Sequence, residues 1–266
     1  MKKLILICAV VMGQSVLVAD KKPLTKEESA KAIEAAIRKK LKKPEGELTK
    51  ADYEKVTVLG ALSNKQLTEV PKGLEKLKQL KFLFLEGNKL TDVKGLENLT
   101  QLKVLAIENN QLTDVKGLKK LTQLTTLQLF NNQLADVKGM EKLKQLKYLN
   151  LRNNRLTSVK GLENLAKLER LFLEGNQLTD VKGLEKLKQL KYLSLASNQL
   201  TDLKGLEKLK QLKYLFLDKN PALTKAQIAE LQKALPNCKI YQPRHGLGQL
   251  GFPPGAVGKQ APAPNR

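Results

Sequence analysis

The chain has 266 residues, 48 Lys plus Arg against 26 Asp plus Glu, a formal net charge of +22 and no tryptophan. That length suits one large domain or a short repeat array with a continuous core. One histidine and two cysteines are too few for a usual zinc site or a disulfide-stapled fold.

Lys2 and Lys3 precede an apolar run from Leu4 to Gly13, and small or moderately apolar residues continue to Ala19 before "DKKP". A basic start followed by a short apolar stretch is the pattern of a secretory signal peptide, so residues 1–19 are expected to be a leader excluded from the fold. Leu17 fits poorly three places before a cut after Ala19, and an uncleaved N-terminal anchor is the alternative. The stretch is short for a membrane span. Cys8, with Ile7 before it and almost no apolar region ahead, is a poor lipidation site. Without the leader, Cys238 is the one cysteine left, expected to be a buried structural thiol.

Residues 20–55 are predicted to form a helical N-terminal cap. Thr25 with Glu28 reads as a capping box, followed by Ala30, Ile33, Ile37 and Leu41 at three- and four-residue spacing. Pro44 and Gly46 interrupt it, and Thr49 with Asp52 starts a second short helix through about Lys55.

Residues 56–220 then repeat one unit about eight times. Asn88, Asn110, Asn132, Asn154, Asn176, Asn198 and Asn220 are spaced 22 residues apart, and Gly73, Gly95, Gly117, Gly139, Gly161, Gly183 and Gly205 keep that interval. A fixed period of this length signals a solenoid. Within a unit, strand leucines such as Leu190, Leu193 and Leu195 point one way, and Leu200, Leu203, Leu206 and Leu209 return along the far side. One unit cannot bury that surface alone, whereas stacked neighbours can. The asparagines are read as a structural ladder that satisfies backbone groups in the adjoining turn, and the glycine as a tight bend. The first unit is worn: Gly60 and Ala61 stand where later units carry a bulky residue and leucine. One residue is inserted before Leu67, so either Asn64 or Lys65 takes the ladder position.

The pattern L-x-x-L-x-L-x-x-N-x-L-T-D-V-K-G-L-x-x-L-x-x resembles the leucine-rich repeat family, in the 22-residue form of bacterial internalins, and the helical segment before it is similar to their caps. The resemblance implies an α/β solenoid. This is a right-handed arc with a concave parallel sheet, convex turns or 3-10 segments and helical caps, and it usually serves to bind another protein.

Alternation along each strand places a defined set of side chains on the concave face, expected to be exposed there. They are Phe82, Phe84 and Glu86; Val104, Ala106, Glu108 and Asn109; Thr126, Gln128, Phe130 and Asn131; and Tyr148, Asn150, Arg152 and Asn153. The later units add Arg170, Phe172 and Glu174; Tyr192, Ser194, Ala196 and Ser197; and Tyr214, Phe216, Asp218 and Lys219. Eight of the eleven aromatics fall in this set, with Tyr53, Tyr241 and Phe252 outside it. Aromatic-rich surfaces favour protein contacts, and eight strands offer a strip on the order of 35 Å long. Rings packed across units, as Tyr192 on Tyr214, are the plainer reading.

The positive charge follows the repeat. Lys94, Lys116, Lys138, Lys160, Lys182 and Lys204 share one position, and Lys81, Lys103, Lys147, Lys191 and Lys213 another. Glu75, Glu97, Glu141, Glu163, Glu185 and Glu207 are read as partial charge compensation. Asp92, Asp114, Asp136, Asp180 and Asp202, broken by Ser158, fit turn capping better than chemistry. Specific nucleic-acid binding is not expected, since six of the 48 basic residues are arginine. An anionic envelope or cell-surface polymer held by lysines is the alternative partner.

Residues 221–242 are predicted to be a C-terminal cap, with Thr224 and Gln227 starting a helix whose Ile228, Leu231 and Leu235 face inward. Cys238 and Ile240 are expected to dock on the last unit. Residues 243–266 are read as a mobile Gly/Pro-rich tail carrying His245, which has no positioned nucleophile or carboxylate to make a triad. The whole is expected to be a secreted, periplasmic or surface-associated, non-enzymatic monomer that uses no cofactor and no metal and binds an unknown protein.

Overall fold

In the computed structural model, residues 22–242 are described; the expected leader with Cys8 and the expected tail with His245 and Phe252 lie outside them. Among the described residues, nine parallel strands follow one another in chain order across a single sheet. They are β1 (Val58–Leu59), β2 (Phe82–Phe84), β3 (Val104–Ala106), β4 (Thr126–Gln128), β5 (Tyr148–Asn150), β6 (Arg170–Phe172), β7 (Tyr192–Ser194), β8 (Tyr214–Phe216) and β9 (Lys239–Tyr241). From β2 to β8 the register advances by one 22-residue repeat, so Leu83, Leu105, Leu127, Leu149, Leu171, Leu193 and Leu215 align across the sheet. These leucines are fully buried and join those of the return segments in one continuous core. The return carries 3-10 turns at Leu74–Lys76, Lys116–Lys120, Leu162–Asn164, Leu184–Lys186 and Leu206–Lys208.

Each ladder asparagine ties its own coil to the one before. The Asn132 amide donates to Leu129 O at 3.0 Å and to Ile107 O at 3.1 Å, while its Oδ1 accepts from Leu112 N at 3.0 Å. Leu129 O also accepts from Asn154 at 3.0 Å, so successive asparagines share carbonyls without a break. The inserted residue of the first coil lies between Leu59 and Asn64. Asn64 N donates to Glu86 O as Gly87 N donates to Glu108 O, which puts Lys65 in the ladder register, followed by Gln66 at φ 61°. Asn88 compensates by accepting from both Lys65 N and Leu67 N.

The acidic residues of the return are occupied by backbone. Asp92, Asp114, Asp136, Asp180 and Asp202 each accept from the N–H two residues on, and Ser158 Oγ does the same for Lys160 at 3.1 Å. Glu75, Glu97, Glu141, Glu163, Glu185 and Glu207 accept from the N–H of the glycine two residues earlier, at 2.5 to 2.8 Å. These glutamates were expected as charge compensation; the structure makes them turn caps. The capped glycines lie at φ 95° to 108°, a region costly for any residue with a Cβ. Lys119 replaces the glutamate in one coil, and there Gly117 leaves the left-handed region and the 3-10 turn lengthens to Lys116–Lys120. The next glycine, Gly139, consequently sits so close that a Cβ would lie 2.7 Å from Lys116 Cα.

Both ends of the core are covered. Helix α1 (Lys26–Leu41) starts in the Thr25–Glu28 capping box and buries Ile33, Ala36 and Ile37. Helix α2 (Lys50–Lys55) starts in the Thr49–Asp52 box. Lys43 joins the two, bonding Asp52 at 2.8 Å and Glu47 O at 2.6 Å. That ammonium, with the Thr49 backbone and hydroxyl, holds the Asp52 carboxyl well below the usual range. At the other end α3 (Lys225–Ala234) starts in the Thr224–Gln227 box and buries Ile228 and Leu231. Cys238 is buried, and burial pushes its thiol up to about 11. Ile240 docks on the last coil as expected, and it does so by pairing in register with Leu215 as part of β9, so the cap adds a strand to the sheet. No helix among the described residues is long and apolar enough to cross a membrane.

Replacing Asn132 by Ala removes the acceptor of a buried N–H and two amide donors, and urea unfolding should show a loss of about 2 kcal/mol or more. Lys119→Glu should restore the missing cap and gain about 0.5 kcal/mol in the same measurement.

Candidate binding face

The face opposite the leucines is built by alternation: Phe82 and Phe84 flank buried Leu83, and the same alternation recurs at each strand. Phe82, Phe84, Gln128 and Phe130 are half-buried there, Arg170 is exposed, and Tyr148, Arg152, Glu174 and Tyr214 are partly covered. Val104, Glu108, Asn150, Phe172, Tyr192 and Phe216 are buried, which corrects the expectation that they stand free in solvent. Parallel strands about 4.8 Å apart bring side chains of adjacent coils into contact, and large rings cover one another and smaller neighbours. Val104 and Ala106 thus lie low beside their register partners Phe82 and Phe84.

A continuous aromatic row crosses the last five strands. Ring centroids are 5.2 Å apart for Tyr148–Phe172, 4.9 Å for Phe172–Tyr192, 5.1 Å for Tyr192–Phe216 and 4.5 Å for Phe216–Tyr241. Tyr241, placed outside the face by the sequence reading, ends this row stacked at 4° to Phe216. Tyr192 and Tyr214 approach at 6.1 Å. Burial first, then the Glu174 charge, pushes the Tyr192 phenol up to about 12, and burial also raises Tyr148. The Arg152 guanidinium lies over Phe130 at 5.4 Å and over Phe172 at 5.8 Å, bridging this row to the N-terminal half of the face. Asn150 Oδ1 accepts from Arg152 N at 3.2 Å.

Beyond the strands a second polar series follows. Asn131 donates to Asn109 and Asn153 donates to Asn131, both at 2.7 Å, from residues held at φ 51° to 54°. Ser197 and Lys219 adopt the same backbone conformation. Tyr53 lies apart in the N-terminal cap, with the Lys76 ammonium 5.3 Å from its ring centroid.

Five buried side-chain atoms have no hydrogen-bond partner among the described residues, and all belong to this face: Glu86 Oε2, Glu108 Oε2, Glu174 Oε2, Tyr192 OH and Ser194 Oγ. Burial, reinforced by the neighbouring Glu86 charge, pushes the Glu108 carboxyl up to about 7. No group of three or more His, Cys, Asp or Glu among the described residues is placed to hold a metal ion.

Three stretches, residues 100–143, 144–186 and 188–233, match the profile of paired leucine-rich repeats, together 133 of the 266 residues. Among solved structures, internalin C2 of Listeria monocytogenes is 27% identical over 80% of this chain and 92% of its own, with a TM-score of 0.71. A leucine-rich repeat protein of Leptospira interrogans is 32% identical with a TM-score of 0.56, covering 67% of this chain; the chain spans 53% of that protein. The functional domain of InlJ from Listeria monocytogenes, which includes a cysteine ladder, is 26% identical with a TM-score of 0.56, over 66% of this chain and 40% of its own. No curated protein matches significantly.

A carboxyl whose value is raised on folding favours the folded state below its unfolded value and opposes it above. The Glu108 contribution should therefore decline as pH rises from about 4.5 to about 7 and then level off. Thermal melts of Glu108→Gln should lack that decline, leaving the variant more stable than the parent at pH 8.

Proposed function

Because the chain belongs to the leucine-rich repeat family, we propose that it is an exported, non-catalytic recognition module that binds a protein partner through its concave face. One observation carries this reading: nine of the eleven aromatics, Tyr241 now included, lie on a single face of the sheet. Phe82, Phe84, Phe130, Tyr148, Tyr214 and Tyr241, which are only partly covered, offer contact area at low entropic cost. The leader pattern and the likeness to a Listeria internalin support action outside the cytoplasm, in solution or at a surface. The chain works as a monomer without a cofactor.

A second reading rests on Lys94, Lys116, Lys138, Lys160, Lys182 and Lys204, all exposed on the turn that leads away from the sheet. Such a row attracts an anionic envelope polymer, but that attraction fades with screening, whereas contact through desolvated rings persists.

Photo-crosslinkers placed at Gln128 and, separately, at Lys160 distinguish the two in extracts of the producing cell's envelope and medium. A discrete protein captured from position 128 at about 0.5 M salt, and lost in a Phe84→Ala, Phe130→Ala double variant, is the expected outcome. Capture from position 160 alone, abolished at that salt, would replace this reading with the polymer.

A further inference from the structure

The first half of the face specifies what a protein partner must present, given that the concave face is where it binds. Glu86 and Glu108 stand on neighbouring coils, each two residues beyond the Phe84–Ala106 register pair, so their backbones are about 4.8 Å apart. Each holds one buried oxygen with no hydrogen-bond partner, and Glu108 is buried to nine-tenths. Neither forms an ion pair among the described residues. Buried polar atoms are normally satisfied within the fold, so an aligned, unsatisfied pair at a surface marks a place where a ligand supplies the donors.

The charge of that ligand follows from the pair. A neutral donor leaves two carboxylates confronting each other at one strand spacing, whereas a cation satisfies both through charge-assisted bonds. Calcium needs six to eight oxygens, more than two glutamates offer. The surroundings suit an organic cation: Val104 and Ala106 form a low floor, Phe130 stands beside Glu108 on the side away from Glu86, and Phe84 lies next to Glu86. Aromatic faces attract both the carbon stem and the charge of a basic side chain. The third unsatisfied carboxylate, Glu174, differs because Arg152 occupies the neighbouring coil between Phe130 and Phe172.

We infer that Glu86 and Glu108 together receive one lysine or arginine side chain of the protein partner, the cation between the carboxylates and the stem against Phe84 and Phe130. The net charge of +22 does not oppose this, because the exposed lysines of the turn series act through solvent that screens over about 8 Å at physiological salt. The charged or titratable groups toward Glu108 are Glu86 on one side, with Arg152 and Tyr148 on the other. A proton on Glu108 competes with the arriving cation, so binding strengthens as pH rises.

The test titrates the full chain, with its glutamate carboxyl carbons labelled for NMR, with Nα-acetyl-arginine methylamide and Nα-acetyl-lysine methylamide. Nα-acetyl-norleucine methylamide and calcium chloride serve as controls. The basic amides should shift the Glu86 and Glu108 signals, at least about fivefold more tightly at pH 7.5 than at pH 5.5. Glu86→Gln and Glu108→Gln should each weaken them about tenfold or more; the first variant keeps the test open should the second fail to fold. Equal binding of the norleucine amide, a response to calcium alone, or unchanged affinity in both variants would overturn the inference. No natural partner enters this titration, so it can fail while crosslinking still finds a partner on the rings, and succeed where crosslinking finds none.

Discussion

A carboxamide that both gives and takes hydrogen bonds holds this molecule together. In each coil the chain must turn out of the strand inside the core, where several backbone groups have no strand neighbour to pair with. Asparagine has an acceptor oxygen and two amide hydrogens on one short side chain, which is the combination the turn needs. Its bonds to Ile107 O, Leu112 N and Leu129 O, in the case of Asn132, lock two coils in one register. Leucine burial then follows, since aligned turns bring aligned leucines into contact. The concave face inherits that alignment, and its rings and carboxylates meet because the ladder beneath them does not slip.

Much of this was legible in the residues because a strict period converts position into place. Leu83 to Leu215, the seven asparagines and the glycines of the turn all announce their environment by recurrence. Where recurrence lapses, position no longer reports place. Strand β9 arises from "CKIY", too short to display a period and separated from β8 by a helix, so the sequence alone puts Tyr241 in the cap and off the face. Burial of Phe172, Tyr192 and Phe216 was hidden for another reason: alternation says which way a side chain points but not what stands next to it. The capping role of the turn glutamates is hidden similarly, because their partner is the backbone N–H of glycine, which has no side-chain signature. The unpartnered Glu86 and Glu108 oxygens were likewise beyond sequence reasoning, since being unpaired is a property of surroundings.

The charge of the chain also has a structural origin. In nearly every coil the acidic groups of the return cap backbone N–H groups, while the lysines beside them stand in solvent, where Lys94 and Lys138 also pair with Asp92 and Asp136. Repeating such a turn repeats the excess. The concave strands draw on a different residue set, with Glu86, Glu108 and Glu174 facing a surface whose cations are chiefly Arg152 and Arg170. One chain therefore presents a basic exterior on its turns and an acidic dip among rings on its sheet.

The ladder has a consequence for how the chain acquires its shape. Its inter-coil bonds join residues 20 to 26 positions apart, from Leu90–Asn110 to Asn88–Leu62, and strand pairing spans a similar interval. Although the described fold is more than two hundred residues long, no step of assembly needs to close a large loop. Any coil that forms templates its neighbours, and order spreads along the axis like a zipper whose teeth are nearly identical. Progress stops at α1 and β9, where the sequence ceases to offer another tooth.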